Sequence, residues 1–154
     1  MSILTSGRCN MPKSEASVTI NAPIEKVFDA IADQEKAVQY YPAAVLIAVN
    51  GKPDELGSSA ELEYHVAGMK IHAKITVSEV DKPHRLVHEL SGAMPGKWTW
   101  SLEQEGQAVK VNFRVDYSVP GGILGKIANQ LFLGRMNQRN AESAVHGLKV
   151  YCET

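Results

Sequence analysis

Cysteine is scarce in this chain: Cys9 and Cys152 are the two in 154 residues. They lie near opposite ends, neither belongs to a CxxC or a Cys/His set at metal-ligand spacing, and free thiols are the expected state. The five histidines, His65, His72, His84, His88 and His146, are scattered without HExxH or comparable spacing, so no metal and no cofactor is expected. An excess of charge of one sign is also missing. Lys and Arg number 16 against 17 Asp and Glu, with no long run of either, so the electrostatic footprint of a nucleic-acid binder is absent and no nucleic-acid partner is expected. No stretch approaches the roughly 20 consecutive apolar residues that cross a bilayer. The first residues carry no apolar signal core, and a cytoplasmic location is the expectation. Internal repeats and low-complexity tracts are absent as well.

What is present is ordinary: 44% apolar residues, enough for the core of one domain. Residues 1–14 mix Ser, Thr, Gly, Asn and Pro without periodicity. They read as a disordered tail, in which Met11 offers an alternative start, ahead of a single domain over 15–154. Ala16 to Ile20 alternate as a strand, and Pro23 then stands near the first position of a helix carrying Ile24, Val27, Phe28 and Ile31. Asp33 is placed to cap a second short helix, which Pro42 ends.

From Ala43 to Ser118 the period switches to two. Turn signals recur at Asn50-Gly51-Lys52-Pro53, Ala67-Gly68, Asp81-Lys82-Pro83, Met94-Pro95-Gly96 and Glu105-Gly106, which describes a meander of six strands. With Ala67-Gly68 as a two-residue loop, Val66 opposes Met69, Tyr64 opposes Ile71 and Leu62 opposes Ala73. The other face then pairs Glu63 with His72 and Glu61 with Lys74, so one register suits both sides. With Glu105-Gly106 as the loop, Leu102 opposes Val109, Trp100 opposes Val111 and Trp98 opposes Phe113. Lys110, Asn112, Arg114 and Asp116 then point away from the dry face.

After Pro120-Gly121-Gly122 comes the longest helical signal. Leu124, Ile127, Leu131, Gly134, Gln138, Ala141, Val145, Leu148 and Cys152 recur three or four apart. At 1.5 Å per residue such a helix is on the order of 40 Å long, enough to cross a twisted sheet.

Four local patterns, in this order, carry a resemblance over about Glu15 to Glu153. They are Val18-x-Ile20-x-Ala22-Pro23-x-x-x-Val27-Phe28, Asp33 to Pro42, Trp100-x-Leu102, and Tyr117-x-x-Pro120-Gly121-Gly122. Together they resemble the START-like or SRPBCC (helix-grip) superfamily, in particular its polyketide cyclase/dehydrase-like and coenzyme Q-binding-like branches. The resemblance implies an α+β fold, with a curved antiparallel sheet of about seven strands, two short helices and a long C-terminal helix enclosing a cavity. It also implies that such a cavity serves lipids, sterols, polyketides, isoprenoids or quinones, although the fold alone does not fix the chemistry.

The residues support a cavity independently. The inward face presents Tyr64, Val66, Met69, Ile71, Leu86, His88, Leu90, Trp98, Trp100, Phe113, Val115 and Tyr117, a large apolar surface with few polar tips. The helical stripe breaks at Gly134 and Gln138, where close packing would favour Leu or Val.

His88 falls in phase with Leu86 and Leu90, where it meets a ligand oxygen, moves protons, or is a core histidine bonded to backbone. Trp98 and Trp100 either stack on a planar ligand or pack the core. Tyr64 and Tyr117 have hydroxyls for a ligand carbonyl or for nearby backbone. Gln138, an amide at an inward helix position, requires a ligand or trapped water as partner. The candidate ligand-binding set is Tyr64, Met69, Ile71, His88, Trp98, Trp100, Phe113, Tyr117, Leu131 and Gln138. Arg114, Arg135 and Arg139 read as solvated charges, and Gly121-Gly122 as a hinge before the helix.

The leading expectation is binding or carriage of a hydrophobic small molecule. One alternative is a polyketide cyclase/dehydrase-type enzyme with His88 and Tyr64 as catalytic candidates. Another is an interaction module of the ribosome- or quinone-associated type. Ligand identity and oligomeric state are not written in the sequence.

Overall fold

Strand β1 (Lys13–Ile20) is the first element in the computed structural model, which describes residues 13–41, 43–66, 68–92, 95–118 and 130–154, with the backbone alone at 66 and 130–133. The strand starts three residues earlier than its apolar alternation indicates. Lys13 and Ser14, expected in the tail, pair with Asp116 and Val115 of the last strand, and Ser14 is buried. A small polar residue gives no periodic signal, so its burial is not visible in the pattern. The rest of the expected tail lies outside the described residues.

Helices α1 (Ile24–Ala32) and α2 (Gln34–Tyr40) follow as expected. Pro23 directly precedes α1 at φ −63°, already suited to helix entry. Val27, Phe28 and Ile31 are buried on one face. Asp33 separates the helices, and its carboxylate accepts from the Glu35 backbone N–H at 3.0 Å, satisfying an otherwise orphaned donor of α2. The Tyr40 hydroxyl donates to the Ala30 carbonyl at 3.0 Å, locking the corner between them.

Six further strands form the meander: β2 (Ala44–Asn50), β3 (Ser59–Val66), β4 (Met69–Asp81), β5 (Arg85–Gly92), β6 (Gly96–Glu105) and β7 (Ala108–Tyr117). The sheet has seven antiparallel strands in the order β1-β7-β6-β5-β4-β3-β2. The β3–β4 hairpin has the expected register on both faces, from Val66 opposite Met69 to Glu61 opposite Lys74. Gly68 accommodates the turn at φ +81°. The β6–β7 hairpin differs. Leu102 opposes Val111, Trp100 opposes Phe113 and Trp98 opposes Val115, a slip of two from the expected pairs. The loop is Gly106-Gln107, because Gly106 takes positive φ (+65°) at the first loop position and Glu105 closes the ladder with Ala108. A slip of two leaves each residue on its own face, so the dry face survives the correction. Bulges at Leu46/Ala48 and Val77/Glu79 bend β2 and β4 and help curve the sheet.

Helix α3 (Gln130–Glu153) crosses the concave side; the earlier part of the expected helix lies outside the described residues. Ala141, Val145, Leu148 and Cys152 are buried as their spacing predicts, with Ala144 beside them. Three side chains of α3 stitch it to β1 and the turn after it through four hydrogen bonds. Gln138 accepts from the Glu15 N–H (3.0 Å) and donates to the Glu15 carbonyl (2.7 Å). Lys149 donates to the Thr19 carbonyl (2.8 Å), and Glu153 accepts from the Asn21 N–H (2.8 Å). No described helix is long and apolar enough to cross a membrane.

Candidate ligand-binding cavity

The sheet's curvature lifts its β3–β7 surface away from α3 near the helix's N-terminal half, and a cavity of about 50 Å³ remains there. Strand alternation sets its apolar walls: Ile71 and Ala73 from β4, Leu90 from β5 and Val115 from β7 point the same way. Asn137 and Asn140 of α3 close it from above. Tyr117 contributes at the α3 side, opposite Gly134, where a Cβ would stand 3.8 Å from the Tyr117 hydroxyl.

Aromatic rings form the end wall. Trp98 stacks on Tyr41, with centroids 5.8 Å apart and planes at 23°, while Tyr64 meets the indole edge-on at 5.9 Å and 85°. Both geometries suit the ring quadrupoles. Behind them Trp100 stacks on Phe113 at 4.0 Å and 14°, and Phe113 meets Trp98 edge-on at 5.9 Å. Trp98 is thus a wall of the cavity and Trp100 a member of the core.

Two polar atoms on these walls are buried without a partner among the described residues, the Tyr64 hydroxyl and the Asn137 Nδ2. An unpaired buried polar group costs roughly 1–3 kcal/mol, so such atoms are uncommon unless something else binds them. Burial, with a smaller contribution from Tyr41, holds the Tyr64 hydroxyl's pKa well above its usual value. Burial also raises that of Tyr41. The Tyr64 phenol, protonated near neutral pH as any tyrosine is and without a partner among the described residues, is available as a hydrogen-bond donor.

Residues 11–153 match the family described as polyketide cyclase / dehydrase and lipid transport. The chain belongs to this family. No curated protein matches the sequence. Among solved structures it is similar to the Zhui aromatase/cyclase from Streptomyces sp. R1128 at 16% identity and TM-score 0.74, with 94% of each chain covered. It is similar to TTHA0849 from Thermus thermophilus at 20% identity and TM-score 0.73, covering 92% of this chain and 97% of that one. A third is a major latex-like protein from Panax ginseng, at 13% identity and TM-score 0.65, covering 94% and 99%. At these identities the likeness is one of fold, and it supports the SRPBCC-type helix grip.

Against the set read from sequence, this family member brings Tyr64, Ile71, Trp98 and Tyr117 together around the cavity. Met69 shares the face of Ile71 and is half-buried, but does not line the cavity. Trp100 and Phe113 belong to the core. Gln138, expected to face inward, turns instead to β1, where the Glu15 backbone satisfies its amide. Leu131 lies in α3, and its side chain is outside the described atoms, as is the expected hinge at Gly121-Gly122. His88 is 2% exposed and meets Trp98 edge-on at 6.3 Å, yet it does not line this cavity. Burial lowers its pKa to about 4, so the ring is neutral at pH 7. The two catalytic candidates, His88 and Tyr64, both pack on Trp98 but border different spaces.

Tyr41, Asn137 and Asn140 carry no signal in the sequence that marks them for the site. Tyr41 stands just beyond α2, where no periodicity reaches it, and Asn137 is the helical neighbour of Gln138, which has the inward phase. Among the described residues, no three His, Cys, Asp or Glu side chains gather into a metal site.

Proposed function

We propose that the protein binds an apolar small molecule bearing an oxygen function, held between the Trp98 wall and α3. The observation that carries this reading is the pair of unpartnered buried polar atoms, Tyr64 hydroxyl and Asn137 Nδ2, on residues lining a cavity whose described walls are otherwise mainly apolar. Each atom is a donor suited to a ligand oxygen, while the indole and phenol rings cover a flat hydrocarbon body. Family membership supports the same substrate class.

The space of about 50 Å³ exceeds what one water needs but is below the several hundred Å³ that enclose a drug-sized ligand. Binding a larger molecule therefore requires the cavity to widen, and displacement of the Tyr41 ring from the Trp98 indole is the opening proposed here. The test is titration of ligand-free protein with 2-naphthol, a flat apolar phenol, followed by tryptophan fluorescence. Saturable quenching at one site, weakened by Asn137→Leu, supports the reading. Absence of any saturable response, together with no apolar mass released on solvent extraction of the native protein, contradicts it.

A cyclase-type reaction is a second reading, favoured by one observation: Tyr64, whose hydroxyl has no partner among the described residues, lines the cavity, and such a phenol can polarise a bound carbonyl. His88 is not placed to share that task. Turnover of a poly-β-keto substrate analogue, lost in Tyr64→Phe, is its expected signature.

A further inference from the structure

The first cavity is not isolated. A narrower void of about 20 Å³ shares Tyr41 and Trp98 with it and extends beneath α2. That void in turn shares Gln34 and His88 with a third of about 130 Å³, which opens between the α1–α2 corner and the β2–β3 loop. The middle void thus has a wall in common with each of the other two, Tyr41 and Trp98 on one side and Gln34 and His88 on the other. The third is lined by His88, Gln34, Ser58, Ser59, Ala60 and Val77, among others.

His88 Nδ1 is buried without a partner among the described residues, the same condition found at Tyr64 and Asn137. The neighbouring polar groups leave it so. Gln34 Nε2 donates to the Ile31 and Ala32 carbonyls (3.4 and 3.3 Å), and Ser58 Oγ donates to the Lys52 carbonyl (2.6 Å). The Asp33 carboxylate caps α2, and Glu35 and Lys52 are exposed at the rim.

We infer that the concave face has a second mouth, at the α1–α2 corner, where His88 receives the hydroxyl end of an elongated apolar ligand whose body lies against Trp98. This rests on the cavity reading above and adds to it the ligand's shape and head group. A hydroxyl fits because it both donates and accepts, so it satisfies Nδ1 in either imidazole tautomer. A carboxylate only accepts, and it would bring a negative charge into a site with no buried cation among its described lining residues and with two acids, Asp33 and Glu35, against the single exposed Lys52 at the rim.

The experiment compares decanol with decanoate on the full chain, reading tryptophan fluorescence together with the ¹⁵N signals of the Trp98 indole and the His88 imidazole. Decanol is expected to bind saturably and move both signals, with decanoate weaker by about tenfold or more, the worth of one hydrogen bond and an uncompensated charge. Val49→Phe narrows the mouth from β2, where residue 49 is the cross-strand partner of inward-facing Ala60, and leaves His88 itself in place; it is expected to weaken decanol by a similar factor while leaving 2-naphthol binding unchanged. The proposal is overturned if decanol moves Trp98 but not His88, if decanoate binds equally well, or if Val49→Phe is without effect. If neither decanol nor 2-naphthol moves Trp98, the cavity reading falls with it.

Discussion

Gly134 of α3 faces the Tyr117 hydroxyl of β7, with room for one methyl group between them: an added Cβ would lie 3.8 Å from the oxygen, an ordinary van der Waals contact. A helix glycine with such space is a liability for stability, since alanine in its place is better by up to about 1 kcal/mol. Gly134→Ala is therefore expected to raise Tm by about 2–4 °C in a domain of this size, measured by calorimetry. Gly147 provides the contrast. A Cβ there would meet the Tyr40 carbonyl oxygen at 2.5 Å, so Gly147→Ala is expected to lower Tm.

Tyr64→Phe removes an unpartnered buried hydroxyl and keeps the ring against Trp98. In ligand-free protein the change is expected to be neutral or to stabilise by about 1 kcal/mol in urea unfolding, because no protein hydrogen bond is lost. With 2-naphthol present the order reverses, and affinity is expected to fall roughly tenfold. Loss of stability in the free protein would show that the hydroxyl has a partner within the chain.

His88 makes stability depend on pH in a defined window. Burial lowers its folded pKa from 6.5 to about 4. Between these values the unfolded chain binds the proton and the folded one does not, so stability is fully present above pH 6.5 and is lost as pH falls towards 4. The full loss is of the order of 3 kcal/mol at about 1.36 kcal/mol per pH unit. The lowered carboxylates Glu63 and Glu153 act in the same direction but begin lower, near the ordinary carboxylate value of 4.5. Urea midpoints between about pH 5 and 6.5 thus isolate the histidine, and His88→Gln is expected to flatten that stretch of the curve.

Gln138→Ala separates structure from binding. Its amide bridges both backbone groups of Glu15, so the substitution is expected to destabilise by about 1 kcal/mol. Affinity for 2-naphthol should not change, as titration of both proteins would show.

The contrast between Gln138 and Asn137 shows where the sequence stops being informative. Spacings of three and four alternate along an amphipathic helix, so residues 137 and 138 flank the same line below Gly134. Because α3 lies astride β1 and the concave face, one flank meets β1 and the other the cavity, and periodicity does not say which. The lower half of the helix is legible since Ala141, Val145, Leu148 and Cys152 are apolar and form one stripe. The β3–β4 register is legible because Glu63 with His72 and Tyr64 with Ile71 constrain two faces at once. At Glu105-Gly106 the alternation fixes the face but not the pairing, and the slip of two follows. Partition of the interior by Tyr41, Trp98 and His88 depends on rotamers, which no pattern encodes.

The central claim is that the space above Trp98 accepts an oxygen-bearing apolar molecule, and the side-chain amide of Asn137 reports on it most directly. In a ¹H–¹⁵N spectrum recorded during addition of 2-naphthol, the Asn137 amide protons and the Trp98 indole N–H are expected to shift together and saturate at one equivalent. If 2-naphthol binds while both signals stay in place, the cavity is a packing gap and the ligand-binding account is wrong.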